Sequence, residues 1–175
     1  MFDQLIWKRR SYRKFSEKPV EKVKIDALVD AALLAPSSRN LAPCRFVVIT
    51  EKELLEQLSE VKPHGASFLK NCTLGIAVCA DPGISDVWVE DAAIAAIYLH
   101  LAADAMGLGS CWVQIRKRMY DGSVSAEEKT SKILRLDANL KVEAIIAIGY
   151  TEESKSPRTR QSLDRTKVSY NRGDR

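Results

Sequence analysis

AAIAAIYLHLAA, residues 92–103, sets apolar side chains on nearly every face of the helix its spacing predicts. Such a helix lacks a solvent face, so it belongs in the middle of the protein or at a subunit interface. The pattern extends over residues 87–106 and stops at Gly107-Leu108-Gly109, a glycine past the last turn being a common terminator. Four apolar runs flank it along the chain: RFVVIT (45–50), LGIAVCA (74–80), CWVQI (111–115) and VEAIIAIGY (142–150). Each has the length and composition of a buried strand. Helices are predicted over 2–8, 20–34, 51–61 and 125–136, the last opening on a capping box of Ser125 with Glu128. Strands alternating with helices predict a mixed sheet covered by helices.

The 175 residues suit one domain, and 46% apolar with 29% charged residues is a globular composition that argues against disorder. No run approaches the ~20 apolar residues of a membrane span. The opening MFDQLIWKRR places its charges after a short apolar run, unlike a secretory signal. Cys44, Cys72, Cys79 and Cys111 show no CxxC spacing, so reduced thiols in a cytoplasmic protein are expected and structural zinc is not.

The net charge of +4 is unevenly spread. Residues 1–24 carry eight basic and three acidic side chains, residues 151–175 seven and four, and the middle of the chain is acidic. Basic ends suit either an anionic ligand or nonspecific nucleic-acid contact. The chain shows no recognition-helix pattern, so nucleic acid is not the expected partner. Residues 151–175 hold no core-sized apolar run and are expected to lie over a surface, the partner chain's included.

Four stretches carry possible chemistry. Arg9-Arg10-Ser11-Tyr12-Arg13 gathers three guanidinium groups and a hydroxyl after a short helix. It suits a phosphate monoester, or else forms a solvated basic helix end. Ala35-Pro36-Ser37-Ser38-Arg39-Asn40, closed by Pro43, is a stiff polar loop that either presents donors to a ligand or simply ends a helix. Gly107-Leu108-Gly109-Ser110-Cys111-Trp112 lacks the GxGxxG pattern, so a dinucleotide fold is unsupported. Arg158-Thr159-Arg160 adds guanidinium groups in the tail. There is no GxSxG, HExxH or Walker loop. His100 reads as a packed core histidine, and Glu90 and Asp91 as carboxylates favoured by a helix N-terminus.

In this order the segments resemble the nitroreductase family of flavin enzymes. The matching landmarks are Arg9-Arg10-Ser11-Tyr12-Arg13-Lys14-Phe15, Ala35 to Asn40 with Pro43, the helix from Glu90-Asp91-Ala92, Gly107 to Trp112, Ile148-Gly149-Tyr150, and Arg158-x-Arg160. The resemblance implies an α+β three-layer sandwich with a mixed, mostly antiparallel sheet. It also implies one domain over residues 1–175, whose 151–175 arm packs on the other subunit of an intertwined homodimer. Noncovalent FMN would sit at the subunit interface. By position, Arg9, Arg10, Ser11 and Arg13, with Arg158 and Arg160, would hold its phosphate and ribityl chain. Pro36, Ser37, Ser38 and Asn40 would approach from the other subunit, and the backbone of Trp112, Val113 and Gln114 would pass the ring. The implied activity is ping-pong transfer of hydride from NAD(P)H to a nitroaromatic, a quinone or a related small-molecule acceptor, with no catalytic side chain. A flavoprotein acting on one metabolite, or binding flavin without turnover, is the alternative. Ala42 and Cys44 stand where relatives often have Gln and Trp, and Gln114 where they often have a small residue. His64 falls near the expected pocket mouth as a substrate contact.

Overall fold

The computed structural model describes residues 2–173. Its elements run α1 (Phe2–Lys8), α2 (Lys22–Leu33), β1 (Cys44–Ile49), α3 (Lys52–Ser59), β2 (Leu74–Ala80), α4 (Trp88–Ala105), β3 (Gly109–Gln114), α5 (Ala126–Leu134) and β4 (Lys141–Gly149). The strands form one sheet in the order β1-β2-β4-β3, with every pair antiparallel. The expected mixed character comes down to one isolated parallel bridge, Ser11 to Ser110.

β2 and β4 are central and helices cover both faces of the sheet, which explains their unbroken apolar runs where a one-sided sheet would alternate. One face buries Ala77, Cys79, Val113, Ile145 and Ala147 against Leu55 and Leu58 of α3, Phe68 and Leu69 of a short 3-10 helix (Ser67–Asn71), and Ala126 of α5. The other buries Leu74, Ile76, Val78, Ala144, Ile146 and Ile148 against Leu28 and Ala32 of α2 and Ala92, Ala96, Leu99 and Ala103 of α4. The result is an α+β sandwich of three layers.

Local signals set most boundaries. α5 carries the predicted capping box, Ser125 accepting from the Glu128 N–H while Glu128 accepts from the Ser125 N–H. α2 begins at Lys22, two residues later than its apolar pattern, because Pro19 and the extended Glu21 precede it. β3 begins at Gly109, earlier than its apolar run, because Gly109 and Ser110 already pair with Gly149 and Ile148. The 3-10 helix Ser67–Asn71 carries no periodicity long enough to read from sequence.

α4 leaves part of its apolar surface uncovered within the chain. Ala92, Ala95, Ala96, Leu99 and Ala103 are buried, whereas Ile94, Ile97 and Tyr98 are 37–42% exposed.

At the start of β3 the N-terminal segment approaches so closely that only glycine fits. A Cβ at Gly109 would lie 2.8 Å from Thr151 Cγ2 and 3.1 Å from Tyr12 Cβ. Gly109→Ala is therefore expected to cost about 1–3 kcal/mol by overpacking. Gly122→Ala, with nothing within 4 Å of its added methyl, should stay within about 0.5 kcal/mol of wild type in urea denaturation.

Candidate functional site

The basic ends meet. After α1 the chain runs beside β3, the Tyr12 N–H donating to the Ser110 carbonyl at 3.0 Å, and the Ser16 N–H then donating to the Tyr150 carbonyl at 2.8 Å. The C-terminal segment returns over this strap. Arg10 donates to the Ser156 carbonyl at 2.6 Å, Lys155 to the Ser11 carbonyl at 2.7 Å, and the Arg158 N–H to the Trp7 carbonyl at 2.9 Å. The start of the 151–175 arm thus rests on its own chain, while residues 159–173 are exposed.

Arg9, Arg10, Ser11 and Arg13 thus lie along the strap that Arg158 crosses, with exposed Arg160 two residues beyond, and the Arg13 guanidinium stands 5.8 Å from the Phe68 ring centroid. Among the described residues, none of these five arginines has a carboxylate within 4.0 Å; the ion pairs in this region join Lys155 to Glu153 and Lys18 to Glu21. Unpaired guanidinium forks beside a hydroxyl fit a dianionic phosphate. Arg9 also faces α4, where its charge acts on His100 and Asp104.

The loop after α2 is strained. Arg39, Asn40 and Ala42 all have positive φ, at 50°, 56° and 46°. Left-handed backbone costs a non-glycine residue on the order of 1–3 kcal/mol and persists only where surroundings enforce it. Here the Ala42 N–H donates to Ser37 Oγ at 2.9 Å, the Ser38 N–H to Asp91 Oδ1 at 2.7 Å, and Arg39 pairs with Asp86 at 2.5 Å. Ala42 and Cys44, the small replacements, line a cavity of about 40 Å³ with Pro36, Phe46, Asp91 and Ala95. Burial first, and the Asp91 charge second, push the Cys44 thiol up to about 11, so it stays protonated at neutral pH.

β3 is an edge strand, and its Gln114 carbonyl accepts from Lys62 at 2.7 Å. The Gln114 side chain folds back along its own strand. It accepts from Trp112 Nε1 at 2.9 Å and donates to the Arg116 carbonyl at 3.0 Å and to Glu143 Oε1 at 3.4 Å. Glu143 is 5% exposed, burial raises its carboxyl pKa, and Arg116 stands 3.8 Å away. His64 is exposed on the same loop as Lys62.

Within one chain these groups form two separate clusters. The strained loop is tied to Asp91 near the start of α4, whereas Arg9 acts on His100 and Asp104 near its end. Asp91 and Asp104 are thirteen residues apart, about 20 Å along a helix axis. Lys62, Asp91 and Glu143 were not singled out from sequence as site residues. The only sequence signal was for Asp91, and its place at a helix start suggested a dipole role instead.

A model of the nitroreductase family matches residues 6–71 and 62–150. The chain belongs to the nitroreductase family. An FMN-dependent nitroreductase of Clostridium difficile R20291 shares 45% identity and superposes with a TM-score of 0.94, over 96% of this chain and 98% of that one. A relative from Archaeoglobus fulgidus, provisionally named NADH dehydrogenase/NAD(P)H nitroreductase, is 33% identical over 87% of this chain and 86% of its own length. A provisionally named nitroreductase from Desulfovibrio desulfuricans, solved in complex with FMN, shares 27% identity at a TM-score of 0.73, over 90% and 91% of the two chains. The nitroreductase fold thus accounts for the whole sandwich, and its landmarks fall where the two clusters lie.

His100 gives this nitroreductase a pH-sensitive core. Burial chiefly, and Arg9 secondarily, lower its pKa to about 4, and Nδ1 lies 2.7 Å from Ser110 Oγ. An unfolded His titrates near 6.5, so the unfolded chain binds more protons between pH 6.5 and 4 and stability falls as pH drops through that window. The loss should approach about 3 kcal/mol at pH 4 and be absent above pH 7. Urea denaturation across pH 4–7 measures it, and His100→Gln should flatten that part of the slope.

Proposed function

We propose that two copies of this chain form two identical FMN sites, each built from both subunits, which carry reducing equivalents from NAD(P)H to a flat acceptor such as a nitroaromatic or quinone. The observation that supports this reading is the separation of the two clusters along α4. One chain holds them about 20 Å apart, while a second copy lying antiparallel across α4 would set its strained loop against the first chain's arginine-bearing strap. The exposed Ile94, Ile97 and Tyr98 supply an apolar contact for that arrangement, and the exposed residues 159–173 supply an arm to cross it. Four free cysteines, Cys72 and Cys79 pushed by burial up to about 12, fit a reducing cytoplasm.

The residues present fit the cofactor. Arg9, Arg10, Arg13 and Ser11 would neutralise its phosphate and hold the ribityl chain, with Arg158 and Arg160 closing over them. Bound FMN supplies the hydride chemistry, accepting from the nicotinamide and giving to the acceptor. The backbone of Trp112, Val113 and Gln114 would line the ring edge, held from outside by Lys62 and from within by the Gln114 hydrogen bonds. Fixed backbone donors favour negative charge on a neighbouring group without reorganising. Ser37, Ser38, Asn40 and Pro36 of the second subunit cover the other side. Donor and acceptor then occupy one cleft in turn, giving ping-pong kinetics, with His64 at its mouth.

Arg9→Ala combined with Arg13→Ala should weaken FMN binding by at least about tenfold, read by quenching of flavin fluorescence. The yellow protein should bleach anaerobically with NADH or NADPH and recover colour with a nitroaromatic or quinone. Colour that does not respond to either donor would point instead to binding without turnover. Ile97→Glu should yield monomers by light scattering and lose FMN with them, since each half-site would then lack its complement.

A further inference from the structure

Asp91 does work that its position in the sequence does not announce. It lies one turn into α4, past the N-terminal cap position at Val87, and its side chain caps nothing in its own helix. It is 2% exposed, yet it is a carboxylate, whose burial is costly unless strong hydrogen bonds compensate. Both oxygens are used outside the helix. Oδ1 accepts from the Ser38 N–H at 2.7 Å, across 53 residues of sequence, and Oδ2 accepts from Ser85 Oγ at 2.7 Å. Ser38 is where the left-handed stretch begins, followed by Arg39, Asn40 and Ala42 at positive φ. Hydrogen bonds within the loop, Asn40 N–H to the Ser37 carbonyl and Leu41 N–H to the Ser38 carbonyl, shape it but anchor it to nothing. Arg39 with Asp86 is an exposed ion pair and constrains weakly. The buried tie to a rigid element is Asp91.

We propose that Asp91 is a positioning residue: it holds loop 37–42 in its strained shape and indexes that loop to the helix through which the subunits meet. Ile94, Ile97 and Tyr98 follow Asp91 on the same helix at three, six and seven residues. Whatever docks on that exposed face therefore finds Ser37, Ser38 and Asn40 at a fixed offset. The part concerning FMN rests on the shared-site reading above; the part concerning the loop does not.

The test compares Asp91→Ala with Asp91→Asn. Asparagine still offers an oxygen to the Ser38 N–H and an amide donor to Ser85, so it should rescue. Expected for Asp91→Ala are a dimer by light scattering, faster amide exchange at Asn40, Leu41 and Ala42, and FMN binding weaker by about tenfold or more. Its loss with NAD(P)H should fall chiefly on kcat at saturating FMN, because a wandering loop spoils placement more than donor encounter. Asp91→Asn should stay within about threefold of wild type in every readout. If Asp91→Ala does not fold, Ser38→Pro against Ser38→Ala isolates the same hydrogen bond. Proline removes the N–H and suits the first position of a helical turn after the extended Ser37, so it should bind FMN markedly less well than the alanine variant. Unchanged loop exchange in Asp91→Ala, or an asparagine variant as impaired as the alanine one, overturns the proposal. Wild-type protein that takes up no FMN would defeat the flavin reading, and the exchange comparison would still decide whether Asp91 holds the loop.

Discussion

α4 is asked to serve two surfaces at once, and the rest of the molecule is arranged around that demand. Its small inner residues, Ala92, Ala95, Ala96 and Ala103, let it lie close against β2 and β4. Its larger outer residues, Ile94, Ile97 and Tyr98, remain partly exposed in their own chain. Burying such a face contributes roughly 25 cal/mol per Å², which is what the proposed second copy would supply. One end of the helix carries the loop anchor and the other meets the arginine-bearing strap. In the proposed dimer, two such helices crossing head to tail would complete two sites with a single contact.

The electrostatics follow the same division. Among the described residues, Arg9, Arg10 and Arg13 of the N-terminal strap have no carboxylate within 4.0 Å, while Asp104 and Glu153 are half-buried and Glu153 pairs with Lys155. Burial raises the Asp104 pKa while Lys8 and Arg9 pull it down. Arginines kept free of neutralising partners retain their attraction for an anion. Buried His100, held neutral with its pKa near 4, adds no competing charge behind Arg9.

Much of this could be read from residue order. Unbroken apolar runs gave both central strands, since strands covered on two faces need no alternation. The capping box gave the start of α5 to within a residue. The two-faced helix announced itself through AAIAAIYLHLAA, and the nitroreductase landmarks pointed to the family to which the chain belongs. What escaped were contacts made across long sequence gaps. Lys62 reaches Gln114 across 52 residues and Asp91 reaches Ser38 across 53, and no local pattern encodes either meeting. The left-handed Arg39 and Ala42 were equally hidden, because Arg and Ala carry no preference for that backbone.

The stitching of the arm to the strap also orders events at the ribosome. Arg10 and Ser156, which hydrogen-bond in the finished protein, are 146 residues apart in the chain. The sandwich can begin to assemble from strands and helices that emerge early, but the strap has no second wall until residues 155–158 have left the exit tunnel. In a nascent chain the strap thus gains its hydrogen bonds to residues 155–158 only after the sheet it rests on is complete.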